Sequence, residues 1–210
     1  MNKSSSSGNN VNNNDCNNNY PLKFIDTIDQ GSSNRHIVLL YEDPEYARMI
    51  EFQFVKNGLL KEEHCIITTF EDNIQVIKNE IEDSNIDVEV FKKKNLLHIY
   101  QIPCPMNHPE GELKGMEDIR NRIFTGLKPP YRIVSRAPEI KTKQQIESDI
   151  IIQRTVHFTY GNFSGSVICS YPVDKIEPKM HGKWLVDILQ NHHAAIFAPK
   201  LGEGIAFDMR

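Results

Sequence analysis

Nothing in this sequence approaches the ~20 consecutive apolar residues of a membrane-spanning helix, and its amino terminus lacks the apolar segment of a secretory signal. The expectation is a cytoplasmic protein, neither exported nor held in a membrane by its own sequence. Cysteine is scarce: Cys16, Cys65, Cys104 and Cys169 form no CxxC pair, which removes the common zinc and dithiol signatures and suits a reducing compartment. Cys65 and Cys169 sit inside apolar runs, where thiols behave as small core residues. Basic charge is not in excess either. The 24 Lys and Arg are outnumbered by 28 Asp and Glu, giving a net charge of −4, so the overall field would repel nucleic acid and no direct contact with it is expected. The short run Lys92-Lys93-Lys94 reads as a solvated turn.

What is present divides at about residue 30. The leader MNKSSSSGNNVNNNDCNNNY is almost all Asn and Ser and has too little apolar surface to offset the entropy of ordering it, so residues 1–30 are expected to be disordered. Residues 31–210 read as one domain. HIVLLY (36–41) is a continuous apolar run suited to a strand buried on both faces, and Asp43-Pro44 supplies an N-cap and a first-turn proline for a helix expected to stop at Asn57-Gly58. Further strands are expected at HCIITTF (64–70), LLHIYQI (96–102), YRIVS (131–135), GSVICSY (165–171) and AAIFA (194–198), with GIAFD (204–208) as an edge strand. Between them lie helical stripes: Ile74, Ile77 and Ile81; Met116, Ile119 and Ile123; a capping box at Thr142-Lys143-Gln144-Gln145 opening a helix to about Tyr160; and Trp184, Leu185 and Ile188. Repeated strand–helix–strand order implies an α/β fold with a mostly parallel sheet and helices on both faces. Residues 103–115, with three prolines and two glycines, form a long connection with the makings of a lid.

Such an opening strand in a nucleotide-binding domain would lead into GxxxxGK[ST] or GxGxxG. Neither occurs. The turn after the first strand is Tyr41-Glu42-Asp43-Pro44, where proline removes an N–H donor and two carboxylates stand where phosphate charge would arrive. Triphosphate binding in the usual manner is not expected.

FVKNGLLKEEHCIITTFED resembles the KaiC-type RecA-like ATPases, with Glu62 where those proteins usually have glycine. The order HIVLLYED, NGLLKEE, VICSYP and ILQNHH resembles more closely the MEDS family, the methanogen/methylotroph sensory domain, a KaiC-like domain without its phosphate loop. The resemblance spans most of residues 35–200 and is carried by His36, Tyr41, Cys169, Tyr171 and His192. RAPEI keeps only Glu139 of the family's turn after the fourth strand, and no helix-turn-helix or kinase module follows. The resemblance implies a RecA/KaiC-like three-layer sandwich and a non-catalytic sensory role. Its ligand would be a small hydrocarbon derivative, its output a separate signalling protein. Alternatives are a degenerate nucleotide-binding protein or ATPase, with Glu71 or Glu139 as base, and a scaffold that forms homo-oligomers.

In open α/β sheets, ligands sit outside the carboxyl ends of the strands. That edge should present Tyr41 and Glu42, Phe70 and Glu71, and Ser170, Tyr171 and Pro172; with Cys169 they form the expected binding set, aromatic rings beside a few polar groups. His36 lies at the other end of its strand, roughly 16 Å from Tyr41 at ~3.3 Å per residue. His192 also precedes its strand. Two histidines fall short of a metal site, and Cys169 is expected towards the opposite edge, so both are read as structural imidazoles, with neither metal nor cofactor expected.

Overall fold

The computed structural model describes residues 20–28, 34–70, 74–138, 140–176 and 181–209. A helix α1 (Pro21–Ile28) precedes β1 (His36–Tyr41), α2 (Pro44–Leu60), β2 (His64–Thr69), α3 (Ile74–Asp83), α4 (Val88–Lys93) and β3 (Leu97–Gln101). Then come α5 (Glu112–Phe124), β4 (Tyr131–Arg136), α6 (Lys143–Thr159), β5 (Gly165–Pro172), α7 (His181–Gln190), β6 (Ala194–Ala198) and β7 (Ile205–Asp208). The strands form one sheet in the order β3-β2-β4-β5-β1-β6-β7, parallel except for β7, which runs against β6. The expected α/β three-layer sandwich is the fold observed.

Alternation along each strand divides the core in two. Ile37, Leu39 and Tyr41 point to one face, where they pack with Ile25 of α1, Ile50 and Phe54 of α2, and Ile77 and Ile81 of α3. Val38 and Leu40 point to the other, with Ile119 and Ile123 of α5, Ile146 and Ile150 of α6, and Trp184 and Ile188 of α7. Central strands buried on both faces are why Ile37–Leu40 of β1 and Val167–Cys169 of β5 are unbroken apolar runs.

The expected caps form. Asp43 accepts from the backbone N–H groups of Glu45 and Tyr46 at the start of α2. At α6 the Thr142 hydroxyl accepts from the Gln145 N–H while the Gln145 side chain accepts from the Thr142 N–H, a reciprocal capping box.

Three readings need correction. The leader expected to be disordered to residue 30 contains α1, whose Phe24 and Ile25 are buried in the core; composition averaged over the Asn-rich stretch hid an apolar stripe of Pro21, Phe24, Ile25 and Ile28 at helical spacing. Helix α2 does not end at Asn57-Gly58 but runs to Leu60. Its end is closed by Glu62 N–H donating to Leu59 O and Glu63 N–H to Gly58 O, with Glu62 itself at φ +60°. That is the left-handed position glycine usually fills, and Glu62 holds it at some conformational cost. Gly58 serves packing instead: a Cβ there would meet Arg132 Cδ at 2.5 Å. Finally, residues 103–115 include a short turn of 3-10 helix at Pro105–Asn107 packed on the start of α5, where a Cβ on Gly115 would meet the Pro105 carbonyl oxygen at 2.8 Å. This connection is a packed roof over the second face.

Candidate ligand cavity

The turn that would hold phosphates is occupied by its own residues. Asp43 Oδ1 takes the Glu45 and Tyr46 N–H groups at 2.9 and 3.3 Å, so first-turn donors of α2 that an anion would use already face a carboxylate.

Beneath α5 and α6, against β2, β4 and β5, lies a cavity of about 140 Å³. Its apolar wall includes Ile102, Ile119, Ile123, Ile133 and Val167, and Pro105, Met106 and Met116 of the roof close one side. Phe70, Cys169 and Tyr171, three residues of the expected binding set, line it. Tyr41 and Glu42 do not; they line a separate cleft with Trp184, Leu185 and Phe197. The expected set is therefore split between two places along the sheet, the cavity against β2, β4 and β5 and a cleft at the carboxyl ends of β1 and β6 beside α7. Glu71 and Glu139 lie outside the described residues. Ser170 is buried, with no partner for its hydroxyl oxygen.

A string of polar side chains runs along the cavity wall. Cys169 Sγ donates to Gln153 Oε1 at 3.8 Å, Gln153 Nε2 to the Tyr171 hydroxyl at 2.8 Å, and that hydroxyl to Asp149 Oδ1 at 2.9 Å. Trp184 Nε1 completes it by donating to Asp149 Oδ2 at 3.1 Å. All five residues are buried. Burial raises the Asp149 carboxyl to about 6 although the Trp184 and Tyr171 donors favour its charged form. Burial, with Asp149 nearby, likewise pushes up the Cys169 thiol and the Tyr171 phenol. Gln153 and Asp149 were missed in the sequence because they flank the apolar run Ile150-Ile151-Ile152 and read there as ordinary polar positions of an amphipathic helix. Their spacing of four residues, facing a strand tyrosine, was the one available signal.

At the amino-terminal side of β1 the imidazoles gather. His36 and His192 are stacked with ring centroids 3.9 Å apart, and His157 and His193 lie around His36 at 6.3 and 6.5 Å. The His36 backbone N–H donates to His193 Nδ1 at 3.1 Å. Burial first, then the neighbouring imidazoles, holds His36 well below its ordinary value. Burial takes His192 down to about 3 against the pull of the Ile188 carbonyl. Both are neutral rings at pH 7.

Cys169 is not towards the opposite edge from His36. Its Sγ lies 3.5 Å from His36 Nε2. The strand register explains the correction: His36 pairs with Val167 and Val38 with Cys169, so both side chains leave the same face only two residues apart. Distance measured along one strand could not reveal that β5 starts level with β1.

The model of the MEDS family, described as the methanogen/methylotroph, DcmR sensory domain, matches residues 35–193. Among solved structures the chain is similar to a KaiC-like protein from the hyperthermophilic archaeon Pyrococcus horikoshii OT3, at 13% identity and a TM-score of 0.60 over 84% of this chain and 79% of that one. It is also similar to a second protein of Pyrococcus horikoshii OT3, at 10% identity and a TM-score of 0.59 over 91% and 93%. At such identities the likeness is one of fold alone. No curated protein matches the sequence. Among the described residues no helix is long and apolar enough to cross a membrane.

Proposed function

This chain belongs to the MEDS family, a sensory domain, and on that premise we propose that it is a non-catalytic sensor whose ligand is a small, mostly apolar organic molecule bound in the cavity beneath α5 and α6. The observation that carries the reading is the cavity itself: about 140 Å³, walled by isoleucines, with Gln153 and Tyr171 presenting polar atoms at its inner surface. A cavity of ~150 Å³ is enough for a benzene-sized guest, so the ligand class is a hydrocarbon derivative of a few carbons bearing one polar group. The Tyr171 hydroxyl or the Gln153 amide meets that group, while the isoleucines exclude water.

Binding alone sends no signal; the two states must differ in affinity. The roof at Pro105–Asn107 and Met116 closes over the cavity, and the Tyr171–Asp149–Trp184 string reaches α7 on the same face. A ligand that displaces either has a route to a partner protein docked outside.

Thermal unfolding in the presence of short-chain alcohols, thiols, ketones and haloalkanes tests the reading. At about 100 times its dissociation constant a ligand adds about 2.7 kcal/mol of stability. Met116→Trp, which narrows the cavity from its half-buried rim, should abolish that shift with little change in the unliganded melting point. No stabilisation by any of these compounds, or an equal shift in Met116→Trp, would overturn the assignment.

A further inference from the structure

We propose that His36, His192 and Cys169 form a buried site for one late transition-metal ion, with zinc the first candidate, set directly behind the cavity wall. The donor atoms of these three buried residues all lie within 4.8 Å of one another. A tetrahedral zinc with one sulfur and two nitrogen ligands places its donors roughly 3.3–3.8 Å apart; the Cys169 Sγ to His36 Nε2 distance of 3.5 Å already meets that. The imidazoles are stacked rather than converging, so the His36 ring tilts to complete the set while the Ile188 carbonyl holds His192.

Three independent features support a ligand here over a packed core. His192 Nδ1 lies 2.7 Å from the Ile188 carbonyl, which fixes the proton on Nδ1 and leaves the lone pair on Nε2. That second nitrogen is buried and has no hydrogen-bond partner. Metal-bound histidines are held in this way, their other ring nitrogen donating to a backbone carbonyl. His36 is buried too, with Nε2 facing the Cys169 sulfur and the Asn191 backbone against its ring. The donor types also agree: a thiolate and two neutral imidazoles suit zinc or copper and reject magnesium and calcium.

Cys169 belongs both to this cluster and to the cavity wall, and Gln153 Oε1 stands 3.8 Å from its sulfur. The fourth ligand is therefore that amide oxygen, a water, or a donor atom of the cavity's guest. The last option rests on the sensor reading above; the metal site itself does not. It would give the sensor selectivity for guests carrying a soft donor, such as a thiol.

Ion binding requires the sulfur–hydrogen bond of Cys169 to break, its proton leaving to solvent as the sulfur–metal bond forms. The imidazoles are already neutral, so one proton is released per ion. The test uses the full chain carrying Cys16→Ser and Cys104→Ser, stripped with a chelator and then titrated with Zn²⁺ and, separately, Co²⁺. The expected result is one ion per chain, one proton released, and for Co²⁺ a thiolate charge-transfer band with the visible bands of a tetrahedral site. Cys169→Ser should erase the charge-transfer band and weaken Zn²⁺ binding at least 100-fold, and His192→Asn should weaken it comparably. A variant with both His64→Asn and His98→Asn, which removes the imidazole pair on β2 and β3 with nitrogens 3.3 Å apart, should bind unchanged.

Absence of stoichiometric binding by the parent chain overturns the proposal, as does a charge-transfer band that survives Cys169→Ser or binding lost only with His64 and His98. The parent chain's own band reports the thiolate even if a variant fails to fold, and Cys65→Ala, which should leave the band intact, separates the two remaining thiols. Organic guests stabilising a chain that takes up no metal would sink this inference alone; metal uptake without guest binding would sink only the sensor reading.

Discussion

The two faces of the sheet bury polar groups in opposite ways. On the face covered by α2, charges are buried in pairs. Arg132 holds Glu63 through two bonds of 2.7 and 3.2 Å and lies over the Phe54 ring. Glu51 is fully buried between Arg136 and Arg48, which also reach Glu80. That face packs densely, as the intolerance of Gly58 for a Cβ shows. On the face covered by α5, α6 and α7, apart from the Arg154–Asp187 pair at its edge, the buried polar groups are mainly imidazoles, a thiol and a carboxyl that burial keeps from charging, and a cavity adjoins them. Paired buried charges cross-link a scaffold and fix its register. Desolvated groups kept from charging beside a hole cost stability, and so mark the face where a ligand repays it.

The sharpest way to break that comparison is to unpair the scaffold face. Glu51→Ala leaves buried Arg136 only the more exposed Glu80 as a partner, and should cost about 3 kcal/mol, the lower end of the penalty for breaking a buried pair. Denaturant unfolding measures it. A loss below about 1 kcal/mol would mean that the network is not what holds α2 to β4.

On the cavity face the comparison is sharpened by pH. Asp149 titrates at about 6 in the fold against an ordinary 3.8. Between those values the folded chain keeps a proton that the unfolded chain has lost, so Asp149's contribution to stability is greatest below about pH 4 and falls as pH rises to 6. About two units correspond to roughly 3 kcal/mol. Because other groups titrate in the same range, the quantity to measure is the difference between parent and Asp149→Asn across pH 4–7. The parent should lose stability relative to the variant as pH rises; a flat difference would show that the carboxylate is better solvated than its burial implies.

How much of this contrast was legible in the sequence follows from the range of each interaction. The strands at HIVLLY and AAIFA, the Asp43 cap and the Thr142 capping box depend on neighbours within a few residues, and each forms where expected. What depends on register was not legible: the meeting of Cys169 with His36, the split of Tyr41 from Tyr171, and the approach of Arg132 to Gly58 all involve segments more than 70 residues apart. Helix α1 was missed for another reason, an apolar stripe diluted by the polar tract before it.

The smallest expected effect concerns the turn between the two faces, and it separates two reasons why phosphate should be excluded there. Asp43 both occupies the Glu45 and Tyr46 N–H groups and places a negative charge at the start of α2. Asp43→Asn keeps an acceptor and removes the charge; Asp43→Ala removes both and should cost about 1 kcal/mol, the typical worth of an N-cap. Titration calorimetry with ATP and magnesium should find no binding to the parent or to Asp43→Asn. If Asp43→Ala alone binds, occupied donors are the barrier and the KaiC-like scaffold retains a latent phosphate site. If neither variant binds, exclusion is built deeper, by Glu42, Pro44 and the lack of a lysine in the turn. Binding by the parent chain would contradict both accounts, because an anion would then displace Asp43 from donors it already holds.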